Sequence, residues 1–347
     1  MKRQRGRLIS SKRGIARGIL PWVALGLTAS LVVRRLMRAR ERSLRGQVAL
    51  ITGASRGLGL CLARKFTAAG CRLVICARDE QELEIARLDL ESRGADVSAV
   101  RCDVADRDQV DQLVAQALRR FGGIDIVVNN AGIIQVGPLE AMALEDFGRA
   151  MAVNYWGPLY LIWAVLPHMR LRRHGQIVNI TSIGGKVAVP HLLPYDAAKA
   201  ALINLSEGLT AELAKHGIQV TTIIPGLMRT GSPMNAFFKG DVEREFGWFS
   251  VGDSLKLTSM SAERAAERIV LATRRREREI VLSWQAKTLR LLHDLFPNLV
   301  LRANTFVNGL LPDDNRGERH NITRGKDVVP LPATAGLTRN MEAAARE

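Results

Sequence analysis

The chain has 347 residues, 47% of them hydrophobic and 24% charged, which leaves room for a substantial core in one large domain or two modest ones. A formal net charge of +16 invites a nucleic-acid reading, and its distribution argues against one. Residues 1–45 hold thirteen basic residues against one acid, Glu41, so the rest of the chain is close to balance.

Taken in chain order, the basic leader encloses an apolar stretch, Ile19–Val33 (ILPWVALGLTASLVV). As a helix its fifteen residues reach about 22 Å, short of the ~30 Å hydrocarbon core, with arginines on both flanks able to seek headgroups. A cleaved signal peptide is the competing reading, but no clear A-x-A site precedes RRLMRARER. The expectation is a membrane-associating segment over residues 1–45, either a short anchor or transmembrane helix or one lying in the interface plane. The domain that follows is then expected to face the cytoplasm.

From residue 47 short apolar strands alternate with longer helical patterns. Strands are predicted at Val48–Thr52, Arg72–Ala77, Val97–Arg101, Ile124–Asn129, Gln176–Ile180, Val220–Ile224 and Ile280–Leu282. Helices are predicted near 57–69, 80–92, 107–120, 143–171, 195–215 and 261–273. That alternation implies α/β architecture, a doubly wound parallel sheet covered on both faces. The stretch Gly226–Ser259 breaks the pattern, carries five aromatic residues and reads as a lid or binding loop. Residues 284–312 read as an amphipathic or membrane-facing extension, and the polar remainder from Asp313 as disordered. Cys61, Cys71, Cys76 and Cys102 form no C-x-x-C pair and are expected to be buried thiols. Six histidines without ligand spacing give no reason to expect a metal.

The chemistry gathers at the predicted carboxyl ends of the strands. In TGASRGLG, Gly53, Gly57 and Gly59 sit where a buried strand meets a helix, which lets backbone approach a pyrophosphate at the helix N-terminus. The second strand ends in Ala77-Arg78 rather than an acid, so Arg78, with Arg56 in the glycine turn, suits a 2′-phosphate. Asp103 follows the third strand, where a carboxylate can accept from an adenine amine; Asp106 is better placed as a helix cap. Asn129-Asn130-Ala131-Gly132 closes the fourth strand, its small residues leaving space for a ribose. Tyr195 and Lys199 stand four apart, on one face of a helix, where an ammonium can lower the pKa of a phenol. Ser182 ends the fifth strand, and Asn154 is a polar residue in an apolar helix.

With these motifs in this order, residues 46–283 resemble the short-chain dehydrogenase/reductase family. The resemblance implies a Rossmann-type single domain, with residues 1–45, 284–312 and 313–347 as extensions. It implies that Tyr195 is the acid–base, that Lys199 lowers its pKa and holds the nicotinamide ribose, and that Ser182 orients the carbonyl. Asn154 would support a water-linked proton relay. Cofactor contacts are implied for Gly53, Ser55, Arg56, Gly57, Leu58, Gly59, Arg78, Asp103, Val104, Asn130, Ala131 and Gly132, and for Pro225, Gly226 and Thr230 of the PGLMRT stretch. The expected activity is NADP(H)-dependent hydride transfer to or from a carbonyl or secondary alcohol. The aromatic stretch and the membrane signal favour a lipophilic substrate such as a steroid, retinoid or fatty-acyl ketone. A scaffold or redox sensor that binds NADPH without turnover is the alternative. A homo-oligomer is left open.

Overall fold

The computed structural model describes residues 41–254, 259–313 and 322–329. The apolar stretch Ile19–Val33 therefore lies outside the described residues. Among those described, no helix is long and apolar enough to cross a membrane.

Seven parallel strands form the central sheet: β1 (Val48–Thr52), β2 (Arg72–Ala77), β3 (Val97–Arg101), β4 (Ile126–Asn129), β5 (Gly175–Ile180), β6 (Ile218–Ile224) and β7 (Glu279–Val281). Their order across the sheet is β7-β6-β5-β4-β1-β2-β3. Alternate residues of β1 enter opposite cores. Ala49 and Ile51 pack on one face, Val48 and Leu50 on the other. This two-sided burial is why the strand reads as an unbroken apolar run.

The first core is covered by α1 (Gly57–Ala68) and α2 (Glu80–Ser92) together with the helix Ala262–Arg275. The second is covered by α3 (Arg107–Phe121), α5 (Gly157–Arg172) and α6 (Leu193–Ala214). Chain order reverses between β1 and β4, which opens a crevice at the carboxyl ends of these two strands.

The single helix predicted over 143–171 is two helices, α4 (Leu144–Met151) and α5, joined by a π-helical turn at Ala152–Trp156. The extra residue in that turn re-aims the side chains around it, including Asn154. All four cysteines are free and buried, as expected.

The stretch after β6 is not an open loop. Phe238, Phe246 and Phe249 fill a small core of their own with Val136 and Leu192. Buried polar bonds fasten it further: Lys239 pairs with Asp146 at 2.6 Å, and Glu245 bonds both His191 Nδ1 and the Trp248 indole N–H. The tail also departs from expectation, because part of the segment read as disordered is folded. Thr323–Arg324 pairs antiparallel with Phe237–Phe238, which pairs in parallel with Gln135–Val136. Backbone hydrogen bonds at that edge outweigh a polar composition that by itself promises no core.

Candidate active site

At the carboxyl edge of the sheet lies a cavity of about 700 Å³. One end is built by the glycine turn. Gly53 and Gly57 have φ of +63° and +54°, which side-chain-bearing residues rarely adopt. A Cβ on Gly53 would lie 2.9 Å from Ala131 Cα, and one on Gly59 would lie 2.0 Å from the Gly53 carbonyl oxygen. Asn130 holds this arrangement: its amide donates to the Thr52 and Gly53 carbonyls at 2.9 and 3.0 Å. The start of α1 has no side-chain cap and no acid in its first turn, so its N–H groups and partial positive charge face the cavity. Close backbone approach, an uncapped helix start and flanking cations fit a dinucleotide diphosphate.

Beside the turn, Ser55 and Arg56 both bond Glu82 of α2, so the Arg56 guanidinium is already engaged by a carboxylate. Arg78 is tied more loosely, 4.0 Å from Asp103. Asp103 Oδ1 accepts from the Ala105 N–H at 3.0 Å, while Asp106 caps α3 through Asp108 and Gln109.

At the other end α6 begins with Pro194 in its first turn and presents Tyr195 and Lys199. Lys199 is 4% exposed; Nζ donates to the Ile180 carbonyl at 2.9 Å and lies 5.7 Å from the Tyr195 ring centre. Burial lowers this lysine to about 8. Burial also pushes the Tyr195 phenol up to about 12, a hydrogen bond with Ser182 acts against that rise, and the Asp196 charge adds to it. The expected lowering of the phenol is thus absent here, because desolvation dominates while the ammonium is turned to a backbone carbonyl. Ser182 Oγ also accepts from the Gly184 N–H at 3.1 Å.

Asn154 is fully buried and bonds the Ile133 backbone in both directions, at 3.2 and 3.0 Å. Gly132 separates it from the lysine: a Cβ there would stand 2.8 Å from Asn154 Oδ1 and 3.6 Å from Lys199 Nζ.

Asp196 follows the tyrosine and is buried, with Oδ2 accepting from the Val189 N–H at 2.6 Å and Oδ1 without a partner. Burial raises its carboxyl to about 8. An unfolded aspartate titrates near ~4, so between about pH 4 and 8 the folded chain retains a proton that the unfolded chain releases. Stability from this residue is full below that window and declines as pH rises through it. Asp196→Asn keeps shape and acceptor but abolishes that decline. Melting temperatures of both proteins from pH 5 to 8 check it; parallel curves would sink the idea.

Of the residues singled out in the sequence, Gly53, Ser55, Arg56, Gly57, Leu58, Gly59, Arg78, Asp103, Val104, Asn130, Ala131, Gly132, Tyr195, Lys199 and Thr230 line the cavity. Ser182 reaches it through its bond to Tyr195. Asn154 stands behind Gly132. Pro225 and Gly226 are not in the lining: the Pro225 carbonyl accepts from the Ile183 N–H at 2.8 Å, and Gly226 packs against Ser283.

Residues 47–239 match the sequence pattern of the family described as short chain dehydrogenase. The chain belongs to the short-chain dehydrogenase family.

Its similarity extends along most of the chain. A "Dehydrogenase/reductase SDR family protein 7-like" from Anopheles gambiae is 36% identical over 269 residues, 76% of this chain and 83% of that one. A fatty acyl-CoA reductase from Acinetobacter baylyi is 39% identical over 199 residues, 57% of this chain and 68% of its own. A short chain dehydrogenase/reductase from Burkholderia phymatum, solved in complex with NAD, superposes with a TM-score of 0.67 at 26% identity, covering 74% of this chain and 96% of that one. An actinorhodin polyketide ketoreductase solved with NADPH gives 0.60 at 29% identity, over 68% and 95% of the two chains. As a member of this family the protein is an oxidoreductase of CH–OH and C=O groups that uses a nicotinamide cofactor.

Several residues of this dehydrogenase's cavity were not singled out in the sequence: Glu82, Asn235, Arg324 and Lys326 among them. Glu82 carries a faint local signal, three residues beyond the α2 cap Asp79, whose side chain accepts its N–H. Arg324 and Lys326 carry none, since a short polar tail gives no hint of where it docks. Of the five aromatics in the stretch after β6, Phe237 alone lines the cavity; the others pack beneath or beside it.

Proposed function

We propose that this dehydrogenase prefers NADP(H) and transfers hydride to or from a carbonyl or secondary alcohol of a lipophilic substrate. The observation that carries the reading is the joining, in one cavity, of a diphosphate cradle at the α1 N-terminus with Tyr195 and Lys199 at the far end, Ser182 standing beside the phenol. The nicotinamide supplies the hydride when bound. Tyr195, protonated at neutral pH, is positioned to give the carbonyl oxygen its proton, with Ser182 orienting that oxygen. Buried Lys199 is set to hold a ribose hydroxyl. A scaffold that only binds a dinucleotide has no use for a phenol bonded to a serine beside a buried lysine, which favours turnover.

The NADP(H) preference rests on Ala77 and Arg78 at the end of β2, where an NAD site places a carboxylate on the ribose. Arg78 is the freer of the two cations, since Arg56 is held by Glu82. In equilibrium titrations NADPH is expected to bind more tightly than NADH. Arg78→Asp should weaken NADPH by about tenfold or more and leave NADH nearly unchanged. Tighter binding of NADH by the wild type would overturn the preference.

We also propose membrane association through residues 1–45, with the catalytic domain facing the cytoplasm. The described residues offer support at the opposite end of the chain. Trp284, Leu295, Phe296, Leu299 and Phe306, on the paired helices Trp284–Leu295 and Pro297–Asn308 or the junction between them, are all more than half exposed. Full-length protein should sediment with membranes and resist extraction by high salt, because apolar burial is not screened. Recovery in the supernatant would end this reading, and release by salt alone would reduce it to electrostatic attachment.

A further inference from the structure

The tail segment 322–329 returns to the cavity and brings two cations with it. Arg324 pairs in register with Phe237, and the Gly325 N–H donates to the Ala236 carbonyl at 2.9 Å. Gly325 lies so close to the loop beneath that a Cβ would fall 1.8 Å from the Pro233 carbonyl oxygen. Only glycine permits this docking, and it sets Arg324 and Lys326 on the cavity lining on either side of it.

Neither cation has a carboxylate partner among the described residues. The Arg324 guanidinium sits 5.6 Å from the Phe237 ring centre, which fixes its position without neutralising it. Phe237 in turn packs against the cluster of Val104, Ile133 and Val153, alongside Ala131. Those residues belong to the cofactor half of the cavity. Thr230, which lines the same cavity, backs directly on the glycine turn, its carbonyl oxygen 3.2 Å from where a Gly57 Cβ would stand. Two positive charges with no carboxylate partner among the described residues therefore line the same cavity as the open N-terminus of α1.

We propose that residues 322–329 form a basic strap in which Arg324 and Lys326 grip the diphosphate of the bound dinucleotide from the Phe237 side. The proposal rests on the reading of this cavity as a dinucleotide site, and is indifferent to whether the dinucleotide is NAD or NADP. A diphosphate answers the charge of both cations at once, and an arginine already oriented by an aromatic ring loses little freedom in doing so. The strap gives a purpose to the glycine at position 325, in a tail whose Val328 packs against the small core around Phe238.

The test is calorimetric titration of full-length protein with ADP-ribose, which has the diphosphate but no nicotinamide, and with adenosine, which has neither. Arg324→Ala/Lys326→Ala is expected to weaken ADP-ribose by about tenfold or more at low salt and to leave adenosine unchanged. The gap should narrow as salt is raised, as a charge contact requires. Arg324→Lys/Lys326→Arg should recover most of the affinity. Gly325→Ala removes no charge, yet by lifting the strap it should weaken ADP-ribose in the same direction. If that variant proves unstable, the charge variants, which leave the backbone intact, decide the matter. Equal ADP-ribose affinity in wild type and the double alanine variant would overturn the strap. So would unchanged ADP-ribose affinity with a raised KM for anionic carbonyl substrates alone, which assigns the cations to substrate. Failure of the wild type to bind ADP-ribose at all would overturn the dinucleotide reading together with the strap.

Discussion

Tyr195→Phe is expected to lower kcat for carbonyl reduction by about 10²–10⁴-fold, the range typical of a lost general acid. The phenol is the one group in the cavity that combines an acidic proton with a bond to Ser182, and burial keeps that proton in place up to about 12. Its removal leaves the ring, and hence the packing of α6, in position. Lys199 keeps its bond to the Ile180 carbonyl, because that contact does not pass through the phenol. Dinucleotide affinity and melting temperature should therefore stay close to those of the wild type. The measurement pairs steady-state rates on a set of lipophilic ketones with direct cofactor titration. A variant that turned over at near wild-type rates would reject the proton-donor role and return weight to the scaffold reading.

Gly59→Ala should damage the protein as a structure as well as an enzyme. The added Cβ would stand 2.0 Å from the Gly53 carbonyl oxygen and 2.6 Å from the Asn130 amide nitrogen, both held in place by hydrogen bonds. The carbonyl is backbone, and the amide, although a side-chain end, is held by two hydrogen bonds, so α1 must move away from the turn. Overpacking of this kind costs about 1–3 kcal/mol, and loosening the Asn130 bonds adds about 1 kcal/mol more. For a domain of this size the melting temperature should fall by roughly 5–10 °C. Dinucleotide binding should fall with it, because the N–H groups of α1 leave the cavity. Gly148→Ala in α4 is the control: nothing lies within 4 Å of its Cβ and its φ is ordinary. There the substitution should be neutral or slightly stabilising, by up to about 1 kcal/mol. Calorimetry of the two variants side by side checks the contrast, and equal melting temperatures would refute it.

Much of this architecture was legible before any coordinates, because its signals are local. Buried parallel strands are apolar on both faces and helices repeat every 3.6 residues, so the seven strands and the helices between them announce themselves. The glycine turn is legible for the same reason: the positive φ of Gly53 and Gly57 and the close approach of Gly59 to the Gly53 carbonyl are local demands, although Ala131, Asn130 and Thr230 then crowd the same glycines from afar. Tyr195 and Lys199 share a helix face by spacing alone.

What the sequence left undetermined depends on groups distant in the chain. Arg56 reads as a free cation, but Glu82, twenty-six residues on, engages it. The phenol reads as lowered by its lysine, whereas burial by the surrounding fold raises it. The aromatics after β6 read as a lid, and most of them instead fill a separate core with Val136 and Leu192. The tail reads as disordered because composition reports only whether a segment can build its own core. Whether residues 322–329 find an open strand edge at Phe237–Phe238 was settled by tertiary structure alone, since that edge exists only once the sheet and its loops have folded.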